Sequence, residues 1–135
     1  MIQTIGIIGA GQMGNGIAHV CALAGYDILL YDSNADQRDR AMATIHGNLK
    51  RQVARQKISE DEMNAALARI KEADSLDAFA NVDLAVEAAT EDEQVKRQIF
   101  AELCPMLPET ALIATNSSSI SIARLAAAQA AVANG

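Results

Sequence analysis

A chain of 135 residues is the size of one ordinary domain, with one core. Hydrophobic residues make up 50% of it, much of that alanine, and aromatics only 3%, so the core should be helix-rich and filled by Ile, Leu, Val and Met. That favours an α/β fold over an all-β sandwich, and a formal net charge of -6 excludes nucleic acid and anionic membranes as expected partners, because both would be repelled.

Cys21 and Cys104 lie far apart in apolar helical contexts with no CxxC or Cys/His cluster. Two reduced, buried thiols of a cytosolic protein are therefore expected, and no metal site. The start "MIQTIGIIG" has no basic segment before its apolar run. No apolar stretch approaches the roughly 18 residues that span a bilayer, so nothing directs the chain away from the cytoplasm.

In chain order, Ile5 to Ile8 is a short apolar run ended by glycine, read as strand one. Apolar positions then recur at helical spacing from Met13 through Ile17, Val20, Cys21 and Ala24, with Gly25 placed to end the helix. Ile28 to Tyr31 is the second strand, closing at Asp32, and Ser33 and Asn34 offer caps to a long polar helix through about Arg55. Ser59 and Glu62 have the spacing of a capping box and open a helix to about Ile70. A weaker strand is expected near Ile70 to Glu72, and a fourth at Val82 to Glu87, apolar enough to be covered on both faces.

Thr90-Glu91-Asp92-Glu93 repeats the capping-box pattern and opens a helix with Val95, Ile99, Phe100 and Leu103 on one side, closed by Pro105 and Pro108. Leu112 to Ala114 is the fifth strand. The polar run Thr115 to Ser119 follows it, and then an alanine-rich helix from about Ile120 to Val132. The alternation β-α-β-α-α-β-α-β-α-β-α calls for right-handed crossovers. The expected fold is a Rossmann-type, doubly wound parallel sheet with helices on both faces, truncated after about five strands and occupying residues 1–135 as one domain.

Gly9, Gly11 and Gly14 stand at the spacing G-x-G-x-x-G between the first strand and the first helix. Gly9 would permit the tight turn, Gly11 would let the backbone approach a pyrophosphate, and Gly14 would let helix and strand pack closely. The free N–H groups of Ala10, Gly11, Gln12 and Met13, with the helix dipole behind them, would hold phosphates without a lysine. Asp32 ends the second strand about 20 residues on, where a carboxylate accepts hydrogen bonds from ribose hydroxyls and repels a 2′-phosphate. It could equally cap the next helix, although Ser33 or Asn34 could do so instead. Arg38 is the nearest arginine after it, so NAD is expected in preference to NADP.

In a sheet of order 3-2-1-4-5, the loops Ala88 to Asp92 and Asn116 to Ser119 open beside strand one, over the reactive end of a cofactor. Asn116 and Ser118 could supply hydrogen bonds there. Glu91 and Lys96 read either as functional groups or as a first-turn acid and a solvated helix charge.

"GIIGAGQMGNGIA", "VEAATEDEQVKRQIF" and "TNSSSISI", in this order and spacing, resemble the amino-terminal domain of the 3-hydroxyacyl-CoA dehydrogenases from about Thr4 to Leu125. Ser117 departs from the threonine usual there and keeps the hydroxyl. The resemblance implies an NAD-dependent oxidoreductase acting on the 3-hydroxyl of an acyl-CoA. It places Glu91 and Lys96 near the nicotinamide ribose and Ser118 beside the substrate oxygen, with Asn48 and Arg55 where the family contacts CoA. The family's general base, a histidine in an "HFFNP"-like stretch, and the glutamate that holds it lie past the last residue of this chain, as does the helical domain that forms the substrate cleft and the dimer. Neither His19 nor His46 matches that motif. The chain alone is therefore expected to bind NAD without turnover and to self-associate through the open edge of its fifth strand. The rival reading is a stand-alone NAD-binding or interaction module.

Overall fold

Four short apolar runs and the half-polar segment Ile70–Ala73 become parallel strands, and the longer amphipathic segments between them become helices. The computed structural model describes residues 2–88 and 92–115. The elements are β1 (Thr4–Ile8), α1 (Gln12–Leu23), β2 (Asp27–Tyr31), α2 (Ala35–Ala54), α3 (Glu60–Arg69), β3 (Ile70–Ala73), β4 (Leu84–Glu87), α4 (Glu93–Leu103) and β5 (Leu112–Thr115). Short 3₁₀ helices cover Leu76–Asn81 and Cys104–Met106. The sheet order is β3-β2-β1-β4-β5 with every pairing parallel, as the alternation of elements requires. The expected last helix, from about Ile120, lies outside the described residues.

Local chemistry sets the helix ends. At the end of α1, Gly25 has φ +107, its N–H donates to the Ala22 carbonyl, and the next N–H, of Tyr26, reaches back to Cys21. That is a Schellman motif. The expected box at α3 is present in both directions: Ser59 Oγ accepts from the Glu62 N–H at 3.0 Å, and Glu62 Oε1 from the Ser59 N–H at 3.1 Å.

The second expected box is corrected. Asp92 caps α4, accepting from the N–H groups of Gln94 and Val95 at 2.9 and 3.2 Å, and Thr90 lies outside the described residues. An aspartate directly before the helix reaches two orphan donors by itself, so the helix starts at Glu93.

Side chains alternate between two layers. Ile5, Ile7, Ile28 and Leu30 face α1, α2 and α3, burying Ala18, Ala22, Ile45, Leu49 and Ala66. Ile8 and Ala85 face the other way and pack with Leu76, Phe79, Val82 and Leu103. Phe79 belongs to the 3₁₀ crossover from β3 to β4 and is fully buried. Its ring lies so close to β1 that a Cβ at Gly6 would stand 2.5 Å from it. An edge contact to Tyr31, with ring centroids 6.4 Å apart, completes its surroundings.

Asp83 closes the opposite rim of the sheet. Its carboxylate accepts from the N–H groups of Gln3 and Thr4 at 2.9 and 3.0 Å, while its own main chain bonds Thr4 and Leu112. The Thr4 and Gln3 donors, in that order, hold this carboxyl below the ordinary aspartate range. Cys21 and Cys104 are free and half-buried, not fully buried as expected. Burial nonetheless raises the pKa of both thiols.

Candidate functional site

The functional candidates gather above the carboxyl ends of the strands, where an in-register row crosses the sheet: Ala73, Tyr31, Ile8, Glu87 and Thr115. Directly above Ile8, Gly9 turns with φ +108, a conformation that favours glycine. Its N–H donates to the Tyr31 carbonyl at 2.7 Å, and the Ala10 N–H donates to Asp32 Oδ2 at 2.9 Å. The other carboxylate oxygen of Asp32 accepts the Asn34 N–H at 2.9 Å. Asp32 therefore ties the glycine turn to the start of α2, while Asn34 caps that helix by accepting from the Gln37 N–H at 3.2 Å. One bond to each oxygen leaves acceptor sites for two further donors.

The three glycines separate into different tasks. A Cβ on Gly14 would clash with the Gly9 carbonyl oxygen, so this glycine is demanded by the fold. A Cβ on Gly11 would meet only Gln37 Nε2, at 3.4 Å, so the fold has little need of glycine there. Its bare backbone instead leaves room for something from outside to approach closely.

Gly11 is also the N-cap of α1. No side chain caps that helix and no acid sits in its first turn. By contrast, Asn34, Ser59 and Asp92 cap α2, α3 and α4. The first N–H groups of α1 and the positive end of its dipole are left for an anion.

Beside Asp32 a cavity of about 330 Å³ opens between Ile8, Tyr31 and Asp32 on one side and Val95, Ile99 and Glu102 of α4 on the other. A slot with Ile8, Val95 and Ile99 in its walls and a carboxylate at its rim suits a base joined to a ribose. Arg38 does not enter it: Nη1 donates to the Ala73 carbonyl at 3.2 Å, so its charge is committed to the end of β3.

On the β4–β5 side, Lys96 is not the solvated helix charge that one reading allowed. It is 1% exposed and paired with Glu87, itself 1% exposed. Thr115 Oγ1 accepts from Lys96 Nζ at 3.2 Å and donates to Glu87 Oε1 at 3.2 Å. The ammonium is drawn inward because α4 packs across the ends of β4 and β5, where one carboxylate and one hydroxyl face it. Glu87, Thr115 and Gln37 were not singled out in the sequence. Glu87 reads only as the last residue of an apolar run, and nothing periodic links it to Lys96.

The other candidates stand elsewhere. Asn48 accepts from the Arg51 guanidinium, and Arg55 is exposed at the C-cap of α2. At 1.5 Å per residue, Asn48 lies roughly 20 Å along α2 from its N-cap, apart from the glycine turn. His19 Nε2 bonds Gln52 Oε1 at 2.8 Å, joining α1 to α2, and His46 is exposed on α2. Glu91, Asn116 and Ser118 lie outside the described residues.

Turn, uncapped helix and strand-end carboxylate together define a dinucleotide-binding domain of the Rossmann class. The model of the family described as 3-hydroxyacyl-CoA dehydrogenase, NAD binding domain, matches residues 4–134. The chain belongs to the 3-hydroxyacyl-CoA dehydrogenase family as its NAD-binding domain. A 3-hydroxybutyryl-CoA dehydrogenase of Bradyrhizobium diazoefficiens is 55% identical over 128 residues, 95% of this chain and 44% of that protein. A 3-hydroxyadipyl-CoA dehydrogenase of Escherichia coli is 41% identical over 93% of this chain and 26% of that protein. Among solved structures, (S)-3-hydroxybutyryl-CoA dehydrogenase from Ralstonia eutropha superposes with a TM-score of 0.91 at 40% identity, covering 95% of this chain and 45% of that one. The chain thus spans less than half the length of these relatives. Among the described residues, no helix is long and apolar enough to cross a membrane.

Proposed function

We propose that residues 1–135 form one cytoplasmic NAD-binding domain serving interconversion of 3-hydroxyacyl-CoA and 3-oxoacyl-CoA, of the 3-hydroxybutyryl-CoA type. The observation that carries the residue assignment is the uncapped start of α1, with the bare face of Gly11, set opposite Asp32. The N–H groups of Gly11, Gln12 and Met13 hold the pyrophosphate, that of Ala10 being already taken by Asp32 Oδ2 and not free as the sequence suggests; Asp32 accepts from the adenosine ribose, and the cavity between Tyr31 and Val95 takes the base. Bound NAD supplies the hydride acceptor. The protein's part is to fix the cofactor's orientation and to shield its reactive half. Family resemblance supports Glu91, Lys96 and Asn116 near the nicotinamide half, Ser118 at the substrate oxygen, and Asn48 and Arg55 toward CoA.

Replacing Asp32 by Ala should weaken NADH binding, measured by calorimetry, by about 1–3 kcal/mol, the scale of lost hydrogen bonds to a charged group. It should also narrow the preference over NADPH, because the repelling carboxylate is gone. Equal affinity of the unsubstituted chain for NADH and NADPH would refute the assignment of Asp32.

Among the described residues β5 is an edge of the sheet, and its Leu112 is 58% exposed. Such an edge, with apolar surface beside it, supports self-association of the chain. Light scattering should show a mass above that of one chain at high concentration. A clean monomer rejects this.

A further inference from the structure

We propose that Glu87 is a positioning residue for the nicotinamide half of the cofactor, acting through Lys96 and Thr115. The proposal rests on the cofactor reading above. With Asp32 holding the adenosine half above β2, the other half of a dinucleotide laid across the β1–β4 switch point must run over the ends of β4 and β5. Glu87 is the last residue of β4, in register with Ile8, the residue before the glycine turn, and with Thr115, the last of β5. It therefore sits directly beneath that half.

The arrangement is costly if its only task is to hold the fold together. Both charges are removed from water, and a buried ion pair is commonly matched or bettered in stability by apolar side chains of similar size. Lys96 is moreover the fourth residue of α4, close to the positive end of the helix, where a cation is disfavoured. Glu87 and the Thr115 hydroxyl offset both penalties only in one geometry. An apolar contact would tolerate sliding, but a charged pair sharing a hydroxyl does not. That geometry fixes α4 against β4 and β5, and with it the point at which the chain leaves the sheet at Ala88. The Ala88 N–H is already bound to the Ile8 carbonyl at 2.8 Å. Glu87 thereby sets the floor on which the reactive half of the cofactor rests, without touching it.

Dissecting the ligand tests this. The chain and its Glu87→Gln variant are titrated calorimetrically with NADH and separately with 5′-AMP, which carries only the adenosine half. The expected result is NADH affinity lower by about tenfold, as Lys96 loses its fixed position beneath the nicotinamide half, with AMP affinity unchanged within about twofold. Glu87→Asp, which keeps the charge but draws it back from Lys96 by one methylene, should show the same selective loss. It keeps the test decisive if Glu87→Gln folds poorly. Thr115→Val should show a smaller loss in the same direction. Parallel loss of NADH and AMP affinity would mean a purely structural pair, and unchanged NADH affinity in the folded variants would mean no role, so either overturns the proposal. If the unsubstituted chain binds AMP but not NADH, the proposal falls while Asp32 keeps its role. If it binds neither, the cofactor reading falls as well.

Discussion

Gly14→Ala should unfold or severely destabilise the chain, whereas Gly11→Ala should leave it folded and unable to bind NADH tightly. At Gly14 the added methyl would press into the Gly9 carbonyl oxygen, which is backbone and cannot swing away as a side chain could. Relief requires lifting the start of α1 from the strand. That strains the bonds from Gly9 to Tyr31 and from Ala10 to Asp32 and opens the layer in which Ala18 and Ala22 pack on Ile5 and Ile7. Overpacking of this kind costs about 3 kcal/mol or more where the backbone itself must move. At Gly11 the backbone is extended, φ -73 and ψ -164, and the methyl meets only the mobile end of Gln37, so the loss in stability should be about 1 kcal/mol or less. The methyl would nonetheless stand where the pyrophosphate approaches. Urea denaturation and NADH titration of both variants separate the two effects. A well-folded Gly14→Ala that binds NADH normally would contradict the geometry.

The second large effect concerns the buried pair as a matter of stability. Lys96→Met alone removes the ammonium that faces the buried Glu87 carboxylate. Removing one member of such a pair costs about 3–5 kcal/mol. Glu87→Leu/Lys96→Met removes both charges, and its stability should return to within about 1 kcal/mol of the starting chain or exceed it. Denaturation midpoints of the two single variants and the double variant give the coupling directly, since residues in contact are not additive. Additive losses would show that the pair is wet and weak, contrary to its burial.

Most of the sheet was legible because parallel strands are apolar on both faces and stand out as short runs between polar helices. The order β3-β2-β1-β4-β5 then followed from chain alternation and crossover handedness. Gly25 and Ser59 were legible because their caps depend on neighbours within a few residues. What the sequence does not display depends on distance along the chain. Phe79 is a single aromatic in a stretch without period, and its partner, Gly6, lies far upstream. Thr90 matches a capping pattern, but the cap of α4 is Asp92, which stands directly before the helix. Glu87 and Lys96 are joined only by the packing of α4 on strand ends, so the sequence left Lys96 open between solvent and site. For Asp32 the two readings were a ribose acceptor and a helix cap. The carboxylate in fact braces the glycine turn and leaves the cap to Asn34.

That brace bears on how a ligand is received. Because Asp32 grips the Ala10 and Asn34 amides before any cofactor arrives, the entropy of ordering the turn is charged to folding and not to binding. A dinucleotide would then meet a preorganised surface, with its association limited by encounter and orientation instead of by loop rearrangement. The ribose hydroxyls would meet the lone-pair positions that this carboxylate still has open, adding further ties to the same corner. Cofactor occupancy and the rigidity of the β2–α2 corner would therefore be coupled through a single side chain.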